Sequence, residues 1–182
     1  MPAAMIKPSK PDNEAQRLLA LQRYQILDTP QERSFDDLVT IATALCGTRM
    51  GAVTLVDQDR QWFKARQHLD ACETHRDISF CAHAILTPDQ VMVVEDARSD
   101  PRFSDNPVVV DDPHVRFYAG APLLSVEGLP LGTLCVFDAA PGHLDSSQLL
   151  ALTALSRQVS LVMELRRYAH EIQQHMTDRA WY

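Results

Sequence analysis

The sequence predicts an α+β fold in which helices from both ends of the chain pack on an antiparallel sheet. Apolar residues recur at helical spacing before residue 47 and again after residue 145, and two strand–turn–strand patterns lie between these segments. Antiparallel strands flanked by helices are typical of α+β domains, whereas a doubly wound parallel sheet alternates strands with helices. We therefore expect the terminal helices on one sheet face, with a short helix and a long loop on the other.

Two helices are predicted before the first strand. Asn13 with Gln16, and Ser34 with Asp37, match the pattern in which a capping residue is followed three residues later by a side chain that bonds back. We expect the first helix to end at 28–30 and the second at Gly47, a residue type that often ends helices. The apolar faces would consist of Leu18, Leu19, Leu21 and Tyr24 in the first helix, and of Phe35, Leu38, Ile41, Ala42 and Leu45 in the second.

The central part of the chain is predicted to begin with a β-hairpin. Residues 51–57 are rich in Val, Leu and Thr, residues 58–60 resemble a turn, and 61–68 alternate around Trp62 and Phe63. Residues 69–78 are charged and irregular, so no element is predicted there. Ser79 can then cap a short helix over 79–86.

A long loop separates this hairpin from a second one. A short strand is predicted at 91–94, followed by a loop over 95–113 that is rich in Asp and Pro. Loops longer than about 12–15 residues in a compact domain are often functional, so this loop is a candidate lid. Strands are predicted again at 115–124 and 131–138, joined by the turn at 126–130.

The last predicted helix runs from Ser146 to Met176 and changes character along its length. Its first part carries Leu152, Leu155, Val159 and Val162 at the spacing of a face packed on a sheet. Its second part has apolar residues at heptad spacing, which are Val162, Leu165, Ala169, Ile172 and Met176. This seam predicts pairing with the same helix of a second copy, and the alternative is that the segment folds back on its own domain.

Composition excludes several classes of protein. The 182 residues carry a formal net charge of −7, which disfavours nucleic acid as a partner. No segment approaches the roughly 20 apolar residues of a membrane span, and the Pro-rich residues 1–12 do not resemble a signal peptide. We expect a cytoplasmic protein with no membrane partner. The four cysteines lack C-x-x-C spacing and suggest buried free thiols rather than a metal or disulfide framework.

Six short segments carry a recognisable pattern in this order: 27–29, 56–64, 79–85, 100–103, 117–123 and 131–136. Together they resemble the GAF domain family, and in particular the GAF domains at the N-terminus of bacterial sensor histidine kinases and diguanylate cyclases. The resemblance implies an antiparallel sheet of five or six strands, a helix layer that often dimerises, and a ligand pocket on the opposite face. The corresponding domain bounds are a flexible arm at 1–12, the GAF domain at 13–167, and a helical extension at 168–182.

The candidate ligand-binding residues combine aromatic walls with a few polar groups. They are Trp62, Arg76, Phe80, Cys81, His83, Asp96, Arg102, Phe103 and Tyr118. An arginine in this set could bind a carboxylate or phosphate, but we favour the alternative that the Asp residues cap turns and that Arg102 holds the loop by a salt bridge or carbonyl contacts. Only one of Phe117 and Tyr118 can face the pocket, because strand side chains alternate, and we favour Tyr118. Cys81 and His83 point apart on a helix, so neither a metal nor a catalytic residue is predicted.

The sequence leaves three functions open. The first is a bacterial sensory domain that binds a small cytoplasmic molecule and signals through the last helix to an output partner such as a histidine kinase or a diguanylate cyclase. The second is a dimerisation module without a ligand. The third is a GAF-fold redox enzyme, such as a free methionine sulfoxide reductase, although the motifs of that enzyme are not recognised here. Neither the ligand nor a cofactor is identified by the sequence.

Overall fold

The computed structural model describes residues 5–179, and it confirms the α+β fold with a single six-stranded antiparallel sheet. The strands are β1 (Met50–Val56), β2 (Arg60–Gln67), β3 (Glu73–His75), β4 (Met92–Val94), β5 (Phe117–Leu124) and β6 (Pro130–Asp138). Their order in the sheet is β3-β2-β1-β6-β5-β4, so the first and last long strands lie side by side at its centre. The helices are α1 (Glu14–Arg23), α2 (Arg33–Cys46), α3 (Phe80–Ala84), α4 (Pro107–Val110) and α5 (Ser146–Arg179).

The sheet separates two hydrophobic cores, as the element order predicts. One core lies under α1, α2 and α5 and includes Phe35, Leu152 and Val159, all of which are fully buried. The other lies under α3 and the 95–113 loop and includes Phe80 and Phe103. Because side chains alternate along a strand, each central strand contributes to both cores.

The two N-terminal helices form where expected, but their capping differs from the prediction. Asn13 precedes α1 without a side-chain cap bond, and α1 ends at Arg23, before the predicted segment 28–30. The second helix already begins at Arg33, so Ser34 lies inside it and not at its cap. Gly47 ends α2 in the left-handed conformation, with φ of 65°, as its residue type predicts.

The apolar faces of these helices were only partly identified. Leu21, Tyr24, Phe35 and Ala42 are buried, whereas Leu19, Ile41 and Leu45 are exposed. The buried face of α2 is completed by Val39, Thr43 and Cys46. The prediction wrongly assigned Ile41 and Leu45 to the buried face of α2, because exposed and buried leucines and isoleucines cannot be distinguished in a sequence.

Both predicted hairpins form, but the sequence pattern missed one strand and the short helix that follows it. Residues 69–78, predicted to be irregular, contain β3, which pairs with β2, and a 3₁₀ helix over Arg76–Ile78. A three-residue edge strand carries too little alternation to be recognised. At the sheet centre, a Cβ added to Gly132 would lie 1.8 Å from the Thr54 carbonyl oxygen, so only glycine lets β6 approach β1 this closely.

The last helix begins with the predicted capping pair. The backbone N–H of Gln148 donates to Asp145, and the Gln148 side chain accepts from the Asp145 N–H. The helix is 34 residues long, and its second half is mostly exposed, including Leu165, Ile172 and Met176. Val162, by contrast, packs against its own core. The exposed apolar stripe is therefore Leu161, Leu165, Tyr168, Ile172 and Met176.

Two buried ionic clusters fasten the terminal helices to the sheet. Arg17 on α1 is fully buried, donates to the Val56 carbonyl at 2.7 Å and pairs with Glu14, which also pairs with Arg76. On the other side of the helix layer, the buried Lys64 bonds Glu32 at 2.5 Å, and Glu32 also accepts from Arg166 of α5.

The predicted N-terminal arm contacts the domain over its described part. Lys7 forms an ion pair with Asp77 at 2.9 Å, and the Ile6 carbonyl lies 3.1 Å from the imidazole of His83. Residues 1–4 of the arm and 180–182 of the helical extension lie outside the described residues. Within residues 5–179, none of the helices is both long enough and apolar enough to cross a membrane.

Candidate functional site

A cavity of about 350 Å³ lies on the sheet face opposite the long helices. The sheet forms its floor, α3 and the residues before it form one wall, and α4 and the end of the 95–113 loop form another. The lining residues are Thr54, Gln61, Phe63, His68, Leu69, Asp70, Ala71, Thr74, Ile78, Phe80, Cys81, Val108, Asp112, Pro113, Val115, Tyr118, Cys135 and Phe137. Mostly apolar walls with a few polar groups are typical of sites for small molecules.

The 95–113 loop contributes to this cavity as part of the wall. Its second half folds into α4, which Asn106 caps through its side chain, and the same side chain donates to the Ile78 carbonyl at 3.0 Å. Val108 and Asp112 then face the cavity. Motion of this loop as a lid stays a prediction.

Hydroxyl and thiol groups meet at the cavity floor. The Tyr118 hydroxyl and the Thr133 hydroxyl each donate to the Cys81 sulfur at 3.1 Å. Cys135 lies on the neighbouring part of the floor, with its sulfur 3.9 Å from that of Cys81. Thr54 closes the group by bonding Thr133 at 3.1 Å. All buried side-chain nitrogen and oxygen atoms of the described residues have partners.

This arrangement affects the two thiols in opposite directions. Burial opposes ionisation of Cys81, but its polar neighbours Cys135, Thr133, Thr54 and Tyr118 outweigh it and lower its pKa to about 7. The neighbouring Cys81 sulfur and burial raise the pKa of Cys135 well above its usual value. Burial likewise raises the pKa of Tyr118, which stays a neutral donor.

Aromatic stacking builds the wall behind the cavity. The rings of Phe80 and Phe103 stack with centroids 3.9 Å apart, and Phe80 is tilted against Tyr118 at 5.1 Å. At the N-terminus of α3, Ser79 accepts from the Ala82 N–H and donates to Gln61 at 2.5 Å. The wall is thus tied both to the loop and to strand β2.

Three of the predicted site residues line the cavity, and they are Phe80, Cys81 and Tyr118. Tyr118 faces the cavity and Phe117 faces the helices, as we expected. Phe103 lies one layer behind, fully buried against Phe80.

Trp62 and Arg76 occupy other places in the structure. Trp62 packs in the core under the long helices, because its neighbours Gln61 and Phe63 take the cavity side of β2. Arg76 is buried, pairs with Glu14, and donates to the Asp57 carbonyl at 3.0 Å. Its guanidinium therefore fastens α1 to the first hairpin turn and does not point into the cavity.

The remaining predicted residues lie on the outer side of the wall. His83 sits edge-on to Phe103 and contacts the arm, and burial lowers its pKa. Asp96 caps a 3₁₀ helix and pairs with Arg98 at 2.7 Å. Arg102 pairs with Asp100 at 2.7 Å while stacking over Phe103. The geometry of these loop charges therefore matches the structural alternative, in which they form salt bridges and cap turns.

Several cavity residues were not identified from the sequence. Thr54, Gln61 and Phe63 lie on strands of the first hairpin, where alternation could have grouped Gln61 with Phe63 against Trp62. His68 and Asp112 lie in irregular segments, and no local pattern marks them. Their place depends on how the two loops meet above the sheet.

A sequence profile of the GAF domain matches residues 14–163. The chain belongs to the GAF domain family. It is 42% identical over 137 residues to the cyclic di-GMP phosphodiesterase PA2567 of Pseudomonas aeruginosa, covering 75% of this chain. The chain spans only 23% of the length of that relative. The match places this GAF domain among those of signalling proteins.

Solved structures of the same fold come from proteins with different activities. The GAF domain of an Acinetobacter phosphoenolpyruvate-protein phosphotransferase superposes with a TM-score of 0.60 at 18% identity, covering 87% of this chain and 98% of that one. The free methionine-R-sulfoxide reductase of Neisseria meningitidis superposes with a TM-score of 0.61 at 19% identity, covering 93% and 99%. At these identities the likeness concerns the fold alone.

Proposed function

We propose that this GAF domain is a non-catalytic regulatory domain of a cytoplasmic signalling protein, and that it binds a small molecule in the cavity beneath α3. The observation that carries the proposal is the cavity itself, of about 350 Å³, walled by aromatic rings and floored by hydroxyl and thiol groups. Such a site recognises shape and a few hydrogen bonds. The cavity residues named above therefore replace Trp62, Arg76, His83, Asp96 and Arg102 as the candidate contacts.

The charges around the cavity support an uncharged or cationic ligand. Asp70 and Asp112 lie at its rim together with His68, and none of the lining residues is a lysine or an arginine. Phosphate and carboxylate groups are usually held by such cations. We therefore propose that the cavity does not hold a cyclic dinucleotide, although the Pseudomonas relative is named for an activity on one.

The second half of α5 is the proposed output element. It presents the exposed stripe of Leu161, Leu165, Tyr168, Ile172 and Met176 at helical spacing. We propose that this stripe pairs with a second copy and continues toward an output domain, such as a histidine kinase, a diguanylate cyclase or a phosphodiesterase. Ligand binding changes the output only if the two arrangements of the paired helices bind the ligand with different affinity.

A matched pair of cavity variants tests ligand binding. Val108 lines the cavity, whereas Val110 lies on the same short helix with 57% of its surface exposed. We expect native mass spectrometry of freshly purified protein to show a bound small molecule that Val108→Trp loses and Val110→Trp retains. An empty wild-type protein that is still dimeric would favour the ligand-free dimerisation module. Turnover of free methionine sulfoxide with a thiol reductant would instead favour the redox enzyme.

A second matched pair tests the dimer. Leu165 lies in the exposed stripe with 60% of its surface exposed, and Val110 is 57% exposed on α4, on the opposite face of the sheet. We expect sedimentation analysis to show a dimer that Leu165→Glu dissociates and Val110→Glu leaves intact. A wild-type protein that is monomeric at all concentrations tested would contradict the proposed pairing.

A further inference from the structure

Two thiols at the cavity floor are in contact although they lie 54 positions apart in the chain. Cys81 is on α3 and Cys135 is on the central strand β6, and both line the cavity. Their sulfur atoms are 3.9 Å apart, so a disulfide bond of about 2.04 Å requires them to approach by about 1.9 Å. Because α3 is only five residues long, a small shift of this helix can supply the movement.

We propose that Cys81 and Cys135 are a redox site, at which a small hydroperoxide entering the cavity converts the two thiols into a reversible intramolecular disulfide. This activity is separate from the proposed ligand binding, since it needs only that peroxide reach the cavity floor. Both thiols belong to the lining, so the cavity supplies the route.

The chemistry proceeds in two balanced steps. The Cys81 thiolate attacks the terminal peroxide oxygen, the O–O bond breaks, and Cys81 becomes a sulfenic acid, while the leaving alkoxide, or hydroxide when the oxidant is hydrogen peroxide, is protonated to an alcohol or to water. Cys135 then attacks the Cys81 sulfur, the S–O bond breaks, and water leaves with the proton of Cys135. In total, two thiols are oxidised by two electrons and one hydroperoxide is reduced.

The surroundings assign the first step to Cys81. Its sulfur accepts hydrogen bonds from Tyr118 and Thr133 at 3.1 Å each, and these bonds stabilise a thiolate. These bonds also lower its pKa while that of Cys135 is raised, so Cys81 is the thiol that ionises more readily. Cys135 donates toward the Ala52 carbonyl at 3.7 Å, and the neighbouring Cys81 sulfur and burial raise its pKa, so Cys135 stays protonated while Cys81 reacts first.

The other two cysteines provide controls within the same chain. Cys46 is buried in the opposite core, and burial raises its pKa to about 11. Cys72 is exposed on the loop before β3 and is not among the cavity residues. Neither is therefore expected to pair with Cys81.

The decisive experiment uses the Cys46→Ser/Cys72→Ser double variant beside the wild-type protein. Each is reduced, freed of reductant, treated with hydrogen peroxide, denatured, alkylated, and analysed by intact mass and peptide mapping. We expect a monomer that has lost two hydrogen atoms, a cross-link between the peptides containing Cys81 and Cys135, and full reversal by a dithiol. In the wild type, we expect Cys46 and Cys72 to be alkylated, which shows that they were still free thiols after the peroxide treatment.

A triple variant that also carries Cys135→Ser should stop at the Cys81 sulfenic acid and react with a dimedone probe. The proposal is overturned if both thiols remain alkylated after peroxide, or if the only disulfides join Cys72 of two molecules. If the double variant does not fold, peptide mapping of the wild-type protein decides the same question. Ligand binding is measured on reduced protein, so failure here leaves that proposal intact.

Tyr118→Phe separates a chemical role from a packing role. It removes one hydroxyl donor to the Cys81 sulfur while keeping the ring. We expect oxidation of Cys81 to slow about 5-fold at neutral pH, because the thiolate fraction falls while the remaining thiolate is slightly more nucleophilic. The pH profile of the oxidation rate should move to higher pH. An unchanged profile would remove Tyr118 from the site.

Discussion

We expect the attachment of α1 to the sheet to depend most on the carboxylate of Glu14. It is shared by two guanidinium groups, those of Arg17 and Arg76, whose side chains are 0% and 4% exposed. Both arginines also donate to backbone carbonyls, at Val56 and Asp57 respectively. Replacing Glu14 with Gln leaves two buried positive charges without a counter-charge, and breaking a buried ion pair in this way typically costs about 3–5 kcal/mol.

The pKa of Glu14 gives a second value for the magnitude. Burial opposes its ionisation, but the hydrogen bonds and charges of Arg17 and Arg76 lower the pKa from 4.5 to about 2. A difference of about 2.5 corresponds to about 3.4 kcal/mol, which solvent screening of the partly exposed carboxylate reduces to roughly 2 kcal/mol. We therefore expect Glu14→Gln to lower the free energy of unfolding by about 2–3 kcal/mol at pH 7.

The pH dependence has a definite sign. Because the folded pKa lies below the unfolded one, this contribution is fully present above the unfolded pKa of 4.5 and is lost as the pH falls toward about 2. Urea unfolding followed by circular dichroism should show that the difference between wild type and Glu14→Gln shrinks by more than half between pH 7 and pH 3. The exposed Glu127, which pairs with Arg23, provides the matched control, and Glu127→Gln should change stability by less than about 0.5 kcal/mol.

Two results would refute this reasoning. One is a loss of less than about 1 kcal/mol at pH 7, which would mean that solvent satisfies the two guanidinium groups without the carboxylate. The other is a difference of the same size at pH 7 and pH 3, which would mean that Glu14 contributes by packing and not by its charge.

Two further substitutions test the packing around the sheet. Phe103→Ala removes a fully buried ring stacked on Phe80, and we expect urea unfolding to show a loss of about 3–4 kcal/mol; a loss below about 1 kcal/mol would contradict the stacked wall. Gly132→Ala places a Cβ 1.8 Å from the Thr54 carbonyl oxygen, so the same assay should show a loss of more than about 3 kcal/mol or no folded protein. Gly142→Ala, whose Cβ would meet the Phe117 ring at 3.3 Å, is the tolerated comparison, and equal losses in both would contradict the close strand approach.

The fold could be predicted from the sequence because each helix and strand is specified mainly by residues close together in the chain. Alternation of apolar residues marked both hairpins, and the Asp145 and Gln148 pair marked the start of α5. Ser79 caps the start of α3 with its side chain, and Gly47 ends α2 in the left-handed conformation. Element order then determined which helices share a sheet face.

The candidate site followed from the sequence only where strand or helix geometry determined it. The alternation of β5 required Phe117 and Tyr118 to face opposite ways, and the α3 pattern placed Phe80 and Cys81 together. The arginines could not be assigned in this way. A guanidinium can bind a ligand or a carboxylate of its own chain, and Arg76 meets Glu14 from 62 positions away.

The sequence by itself determined the α+β class, the family likeness and the order of the elements, because each follows from residue patterns within short stretches of the chain. Only the tertiary structure decided which side chains share the cavity. Cys81 and Cys135 come within 3.9 Å because α3 crosses the central strand, and Trp62 leaves the cavity because β2 turns its other side to it. Such long-range contacts depend on how whole elements pack, and the local spacing of residues does not predict them.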